Sequence, residues 1–213
     1  MITSTKMKNS LIKRIFDVVC SFACLIIFSI PIIIIIIVLL FTQGSPIFFK
    51  QLRPGLHEKP FELIKFRTMT EDPNQFIAKN MKKSDDQRLT KIGKILRSTS
   101  LDELPSLINV LKGEMSMVGP RPLLMHYLKL YTADQSKRHN AKPGITGWAQ
   151  VNGRNSIPWE IKLKLDVWYI ENQSILLDIK ILLLTLKKVF FREGIGSPGE
   201  STGQEFKGQN RYE

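Results

Sequence analysis

Two acidic residues in tandem, Asp102 and Glu103, stand in Ser100-Leu-Asp-Glu-Leu-Pro105, and Arg121 stands between two prolines in Met117-Val-Gly-Pro-Arg-Pro-Leu123. Carboxylates bind a hard cation or attack phosphorus, and a guanidinium fork matches phosphate oxygens in a way that a lysine point charge does not. Together these residue types suit phosphoryl transfer. Ser100-x-x-Glu103 ahead of an apolar stripe also has the form of a helix capping box. Adjacent helical residues point about 100° apart, so the two carboxylates cannot both serve such a cap, and one is left over at a helix N-terminus. Backbone amides and the positive dipole end favour a phosphate there. An aspartate in that position can act as a nucleophile, splitting one displacement into two through a phospho-aspartate. Pro120 and Pro122 forbid a regular helix around Arg121 and fix its backbone; an ordinary proline-marked turn is the alternative.

Further on, Lys142-Pro-Gly-Ile-Thr-Gly-Trp-Ala-Gln-Val-Asn-Gly-Arg154 gathers glycines, an indole, two amides and a guanidinium. Such a loop could stack a base and bind a ribose or diphosphate. It could equally be a compact turn around a buried tryptophan, since its glycines match neither the P-loop nor the dinucleotide fingerprint. His57, His126 and His139 adjoin no acid-base partner in sequence and are left out of catalysis.

The elements that must hold these residues begin with an uncharged run, Val18 to Phe41, which contains six consecutive isoleucines. Phosphate chemistry beside such a segment suggests a lipid substrate. As a straight helix the run would extend about 36 Å, enough for a bilayer core. Pro31 lacks an amide hydrogen, and Ser29 can bond back to a backbone carbonyl, so a kink is expected there. Basic residues flank the run on both sides, Lys6, Lys8, Lys13 and Arg14 before it and Lys50, Arg53 and Lys59 after it. Charge of that kind at both ends favours a helix that enters and leaves on the cytoplasmic face; a kinked single span is the alternative. The run is too long for the apolar core of a signal peptide. Cys20 and Cys24, at helical spacing inside it, read as small hydrophobes.

The 213 residues carry a formal charge of +12 and a pI near 9.8. That balance implies an anionic partner, namely phospholipid headgroups, nucleic acid or a diphosphate, without choosing among them. Residues 46–52 and 61–69 read as a hairpin with a long loop marked by Pro54-Gly55 and Pro60. Helical spacing covers 91–97, 101–111, 159–171 and, more weakly, 127–137. Residues 175–192 are apolar but carry Asp178, Lys180, Lys187 and Lys188, too many charges for a second span, and read as a helix in the interface or packed on the core. The tail from Gly194 is glycine-rich and expected to be flexible. The fold class is α+β, mostly helical, with four segments: 1–12 basic, 13–45 membrane helix, 46–193 catalytic domain, 194–213 tail.

Lys13-Arg-Ile-Phe-Asp17, Thr42-Gln-Gly44, Arg53-Pro-Gly55, Lys65-Phe-Arg-Thr-Met69, Ser100-Leu-Asp-Glu-Leu104, Asn109-Val-Leu-Lys-Gly113, Gly119-Pro-Arg-Pro122 and Pro143 to Arg154 run in an order that resembles the bacterial sugar transferases. The resemblance, over residues 13 to about 192, is to the small monotopic phosphoglycosyl transferases, and within them to the undecaprenyl-phosphate bacillosamine-phosphate transferases. It implies transfer of a sugar 1-phosphate from a UDP-sugar to undecaprenyl phosphate with release of UMP and use of Mg2+. It also implies an inner-membrane location, with phospholipid as a partner, the catalytic domain on the cytoplasmic face and no nucleic acid. Self-association stays open. Asp102 matches the family's nucleophile and Glu103 its partner acid, both near the metal. Arg121 would hold phosphate, with Lys65 and Arg97 as further contacts, and Gln150, Asn152 and Arg154 would contact the nucleotide sugar. The family's re-entrant helix breaks at an adjacent Ser-Pro; here Ile30 separates Ser29 from Pro31.

Two other readings stay open at this level. A membrane-anchored basic binding domain would explain the charge and the apolar run, but gives no purpose to Asp102-Glu103 or the caged Arg121. The same chemistry with another UDP-hexose differs only in the sugar handed over.

Overall fold

The computed structural model describes residues 2–70, 88–153, 157–191 and 206–208, with side chains from Leu11 onward. Helix α1 (Ile2–Ile27) and helix α2 (Ser29–Gln43) are bent by 61° at Phe28, whose φ of −94° and ψ of 11° leave the helical range. The Ser29 hydroxyl donates to the Ile26 carbonyl at 2.8 Å, as expected of a serine at a bend. Pro31 lies four residues after Ile27, whose carbonyl its ring would crowd and could not bond in a continuous helix, so α1 ends at Ile27 and α2 restarts with Pro31 in its first turn. Among the described residues no single helix is long and apolar enough to cross a membrane, and the bent pair from Leu11 to Gln43 is the one candidate.

One face of α1 is bound to the rest of the chain by polar contacts. Arg14 donates to the carbonyls of Val110 and Leu111 at 2.6 and 2.7 Å, and Ser21 to that of Leu107 at 2.9 Å. Asp17, just before the uncharged run, is buried and accepts from the Ser116 hydroxyl, the Met117 amide and Lys13. Cys20 and Cys24 pack on the main core, in keeping with their reading as small hydrophobes. The other side of the bent pair shows Leu11, Ile15, Val19, Phe22, Ile26, Ile30, Ile33, Ile37 and Phe41 on the surface.

The hairpin is present as β1 (Phe48–Pro54) and β2 (Pro60–Phe66), antiparallel, with Lys50 opposite Ile64 and Arg53 opposite Phe61. Helix α3 (Lys91–Ser98) is capped by the Thr90 side chain, which accepts from the Gly93 amide. A Cβ on Gly93 would lie 2.0 Å from the Thr68 carbonyl oxygen, so only glycine lets α3 approach the strand extension this closely. Helix α4 (Ser106–Lys112) is shorter than the expected 101–111. Its place is partly taken by a 3-10 turn, Leu101–Glu103, entered through Ser100 at φ 58°. The Ser100 side chain makes no capping bond, so the capping box suggested by Ser100 and Glu103 does not form. The capping box that does form is Thr132 with Gln135, which starts the short helix α5 (Ala133–Ser136). It divides the helix expected over 127–137 into a 3-10 stretch, Met125–Leu130, this α5, and a second 3-10 turn, Lys137–Asn140.

Two three-residue strands, β3 (Ser116–Val118) and β4 (Gly144–Thr146), pair in parallel. Helix α6 (Trp148–Val151) follows, and then α7 (Trp159–Asn172) and α8 (Ile175–Phe191). α8 buries Asp178 and Ile181 against the core while Leu176, Leu183, Leu186, Phe190 and Phe191 stay exposed. The core joins Leu107, Val110, Met115, Val118, Tyr169 and Ile181 across α4, β3, α7 and α8. Within the tail, Phe206 is buried against Tyr127, Tyr131 and Trp159.

Candidate active site

Asp102 and Glu103 lie in the 3-10 turn between α3 and α4, and the two are used differently. Glu103 Oε1 accepts from Lys65 Nζ at 2.6 Å and from Arg121 Nη2 at 2.8 Å. The Asp102 carboxylate, in a residue only 9 % exposed, makes no ion pair among the described residues.

Each cation reaches Glu103 because a neighbouring element fixes its backbone. Lys65 is carried by β2, which α4 staples from the side. The Ser106 hydroxyl donates to the Ile64 carbonyl at 2.7 Å, Asn109 Oδ1 accepts from the Ile64 amide at 3.1 Å, and Asn109 Nδ2 donates to the Glu62 carbonyl at 2.8 Å. Asn109 is fully buried, and its amide supplies the strand-edge partners that a third strand would otherwise provide. Arg121 is carried by the loop after β3. That loop is pinned by β4, with the Gly119 amide donating to the Thr146 carbonyl and the Gly144 amide to the Pro120 carbonyl. A Cβ on Gly144 would meet the Gly119 nitrogen at 2.1 Å. The glycines around Pro143 thus serve close backbone approach.

Beneath the arginine loop lies Arg138, whose importance is not visible in the sequence. It is buried, donates through Nη2 to the Arg121 carbonyl at 2.7 Å, and binds Asp166 Oδ2 through Nε and Nη2 at 3.0 and 2.7 Å. Its Nη1 reaches the Tyr131 hydroxyl at 3.3 Å. A buried arginine with its own carboxylate and a carbonyl to hold is a positioning device. No local pattern pairs residues 138 and 166 in advance.

The electrostatics separate the two acids. Burial, and then the Glu103 charge, push the Asp102 carboxyl up to about 6, against the opposing pull of Lys65, Arg121 and Arg97. Burial would raise Glu103 too, but Arg121 and Lys65 outweigh it and hold that carboxyl well below the usual range. Burial draws the Lys65 ammonium down and Glu103 partly restores it; Glu103 raises Arg121 further. Glu103 is thus a fixed anion bound to two cations, whereas Asp102 is the acid whose electrons are not already engaged.

Of the other sequence-predicted residues, Arg97 donates through Nε to the Thr68 hydroxyl at 3.0 Å and acts on Asp102 as a nearby charge. Gln150 and Asn152 bond within their own segment, to the carbonyls of Ile145 and Trp148. Trp148 stacks on Trp168 at 5.2 Å and lies under Lys180. Arg154 lies outside the described residues. His139 is buried beside Arg138, and neither it nor His57 touches the Glu103 cluster.

For a divalent cation the donor set is small. Among the described residues no three His, Cys, Asp or Glu side chains gather. Mg2+ commonly takes one or two carboxylates and completes its shell with water and substrate phosphate oxygens. Asp102, with Glu103 beside it, fits that pattern.

Residues 8–192 match the model of the bacterial sugar transferase family. The chain belongs to that family. It is 54% identical over 198 residues to a Bacillus subtilis (strain 168) protein named "Uncharacterized sugar transferase EpsL", covering 93% of this chain and 96% of that one. It is 39% identical over 203 residues to the "Undecaprenyl-phosphate galactose phosphotransferase" of Salmonella typhimurium, covering 89% of this chain and 42% of the relative. With the "UDP-glucose:undecaprenyl-phosphate glucose-1-phosphate transferase" of Klebsiella pneumoniae it shares 40% identity over 195 residues, 87% of this chain and 41% of the relative. This sugar transferase therefore spans nearly the whole of the Bacillus relative and about two fifths of the other two.

Proposed function

We propose that this sugar transferase moves a sugar 1-phosphate from a UDP-sugar to undecaprenyl phosphate, releasing UMP, as a membrane step of glycan assembly. The observation that carries the reading is the division between the two acids: Glu103 held by Lys65 and Arg121, Asp102 buried beside them without an ion pair. The names of two relatives support the substrate classes, undecaprenyl phosphate in both and a UDP-sugar in the second.

In the first step an Asp102 carboxylate oxygen attacks the β-phosphorus. The bond from that phosphorus to the bridging oxygen breaks, and UMP leaves with the oxygen. In the second step an oxygen of undecaprenyl phosphate attacks the same phosphorus, and the Asp102 carboxylate is released. Arg121 neutralises phosphate oxygens, Glu103 keeps Arg121 and Lys65 in place, and Arg97 supports the Asp102 anion. A Mg2+ held by Asp102 and Glu103 with the diphosphate would supply charge neutralisation. The exposed apolar side of the bent helix pair lies in the inner membrane and returns to the cytoplasmic face, where UDP-sugar is soluble.

The donor is an N-acetylated sugar such as UDP-N,N'-diacetylbacillosamine, a reading taken from the resemblance. UDP-galactose and UDP-glucose are the competing donors, since relatives are named for galactose and glucose. The test is UMP release from a donor panel with undecaprenyl phosphate and Mg2+, joined to intact-protein mass spectrometry after donor alone. A sugar-phosphate adduct absent from Asp102→Asn supports the two-step route. Intersecting double-reciprocal lines without an adduct would replace it by direct displacement.

A further inference from the structure

Arg53 and Arg138 are both arginines against the Arg121 loop, yet they are supported in opposite ways. Arg138 has Asp166. Arg53 has no ion pair among the described residues. Its Nη2 donates to Gln51 Oε1 at 2.6 Å, its Nη1 reaches the Pro122 carbonyl only at 3.4 Å, and its Nε is buried without a hydrogen-bond partner. Among the described residues, the acid that acts on it, Glu103, is already committed to Lys65 and Arg121. Burial and the like charge of Arg121 pull the Arg53 guanidinium down to about 10.

A second cation shares these circumstances. Lys162, on α7, is half-buried with its Nζ 4.6 Å from the centre of the Trp159 ring. Burial and Arg121 lower it, and Asp166, one turn further along α7, is bound by Arg138. Strand β1, which carries Arg53, packs on the Met125–Leu130 stretch, whose Tyr127 ring lies 5.8 Å from Trp159, so the two rings lie between the elements that carry Arg53 and Lys162. Keeping a partly buried guanidinium and ammonium near a third cation, with no carboxylate of their own among the described residues, is costly unless an anion visits. A structural role would be met more cheaply by the Arg138 arrangement.

We propose that Arg53 and Lys162 form, with Arg121, a second phosphate subsite, which binds the phosphoryl group that Asp102 does not attack. The site rests on the reaction read above only for the identity of that group, either the nucleotide-side phosphate of the donor or the phosphate of the lipid acceptor. In a two-step mechanism kcat/KM for each substrate reports its own half-reaction, so the two sources separate. Arg53→Gln should lower kcat/KM at least tenfold for one substrate and leave the other within twofold. Loss on the UDP-sugar side assigns the nucleotide-side phosphate, and loss on the undecaprenyl phosphate side assigns the lipid phosphate. Equal loss on both sides, or none, would overturn the subsite. Arg53→Lys should fall between wild type and Arg53→Gln.

A second arm needs no turnover. In divalent-free buffer, inorganic pyrophosphate should raise the melting temperature of the full-length wild type, because a ligand that binds only the folded state stabilises it. The shift should shrink by more than half in Arg53→Gln and in Lys162→Met and persist in Asp102→Asn. No shift in the wild type, or an undiminished one in Arg53→Gln, would sink the proposal. A wild type that released UMP from no donor, yet lost its pyrophosphate shift in Arg53→Gln, would refute the proposed reaction and leave the anion subsite standing.

Discussion

Arg138 donates to the main-chain carbonyl of Arg121 at 2.7 Å, so the guanidinium that faces Glu103 is held from behind by a second guanidinium that never enters the site. Arg138 can do this because Asp166 neutralises it and Tyr131 accepts its remaining fork nitrogen. Lysine has one nitrogen centre and cannot reach the carboxylate, the phenol and the carbonyl in that planar geometry.

The consequence is a positioning effect without contact to substrate. Asp166→Asn leaves a buried guanidinium without its carboxylate and should cost about 3–5 kcal/mol of stability. Arg138→Lys should retain more of the fold but lower kcat by about tenfold or more through loosening of Arg121. Urea titrations and steady-state UMP release separate the two effects. Wild-type kcat in a folded Arg138→Lys protein would contradict the role given to this residue.

Asp102 is expected to trade stability for reactivity. Its folded-state pKa lies above the unfolded value, at about 6 against 3.8. Its contribution is therefore fully favourable below pH 3.8 and is lost as pH rises through about 6. Without divalent cations Asp102→Asn should be more stable than wild type at pH 7.5, by about 3 kcal/mol as an upper figure, and no more stable at pH 3.5. Turnover should vanish, because the amide keeps the shape and lacks the anion. Glu103→Gln should behave oppositely in stability, since it leaves Lys65 and Arg121 without their shared acceptor. Denaturant melts at both pH values, read beside UMP release, test the pair.

Much of this site could be read from residue order, and some of it could not. The tandem acids and the proline-caged Arg121 were legible because their types are chemically specific, and Lys65 and Arg97 came with the resemblance. The start of α4 was misplaced because Leu101, Leu104 and Leu107 keep their spacing through a 3-10 turn as well as through a helix, and periodicity does not tell the two apart. β3 and β4, at three residues each, are too short to show alternation. Arg138 with Asp166 and Asn109 with Ile64 are long-range pairings, fixed only when the elements pack. The bend lies at Phe28, ahead of Pro31, because the proline ring excludes the carbonyl of Ile27 four residues before it, and the helix restarts with Pro31 in its first turn.

His139 should make the arginine loop sensitive to acid. It is buried beside Arg138, and burial, followed by the Arg138 charge, lowers it to about 4 from 6.5. A histidine with a depressed folded pKa contributes stability present above pH 6.5 and lost as pH falls through about 4. Wild-type stability should therefore decline over that window by up to about 3 kcal/mol from this group. His139→Phe should flatten this part of the profile, whatever its effect at pH 8. An unchanged slope between pH 6.5 and 4 would show that His139 does not charge on unfolding in that range.

The proposed membrane topology rests on the bent pair α1 and α2. Arg14, Asp17 and Ser21 fasten one face of α1 to α4 and β3, so this helix cannot leave the catalytic domain without losing bonds to Val110, Leu111, Leu107 and Met117. A 61° bend then turns α2 away from the α1 axis and brings its end back to the domain. There Arg67 holds the Gln43 and Gly44 carbonyls, and Gln43 reaches Thr90. Both ends of the pair are thus tied to the same domain, which fits entry and exit on one face. The bend is held by the Ser29 hydroxyl on Ile26, so Ser29→Leu with Pro31→Leu should straighten the pair toward a spanning helix. Thr5→Cys, in a chain with Cys20 and Cys24 replaced by alanine, reports the side through a membrane-impermeant thiol reagent. Protection from the periplasmic side is expected with Ser29 and Pro31 intact, and labelling in the double-leucine chain. Periplasmic labelling with both residues intact would mean that the pair crosses the bilayer and that the docked face of α1 does not hold it to one side.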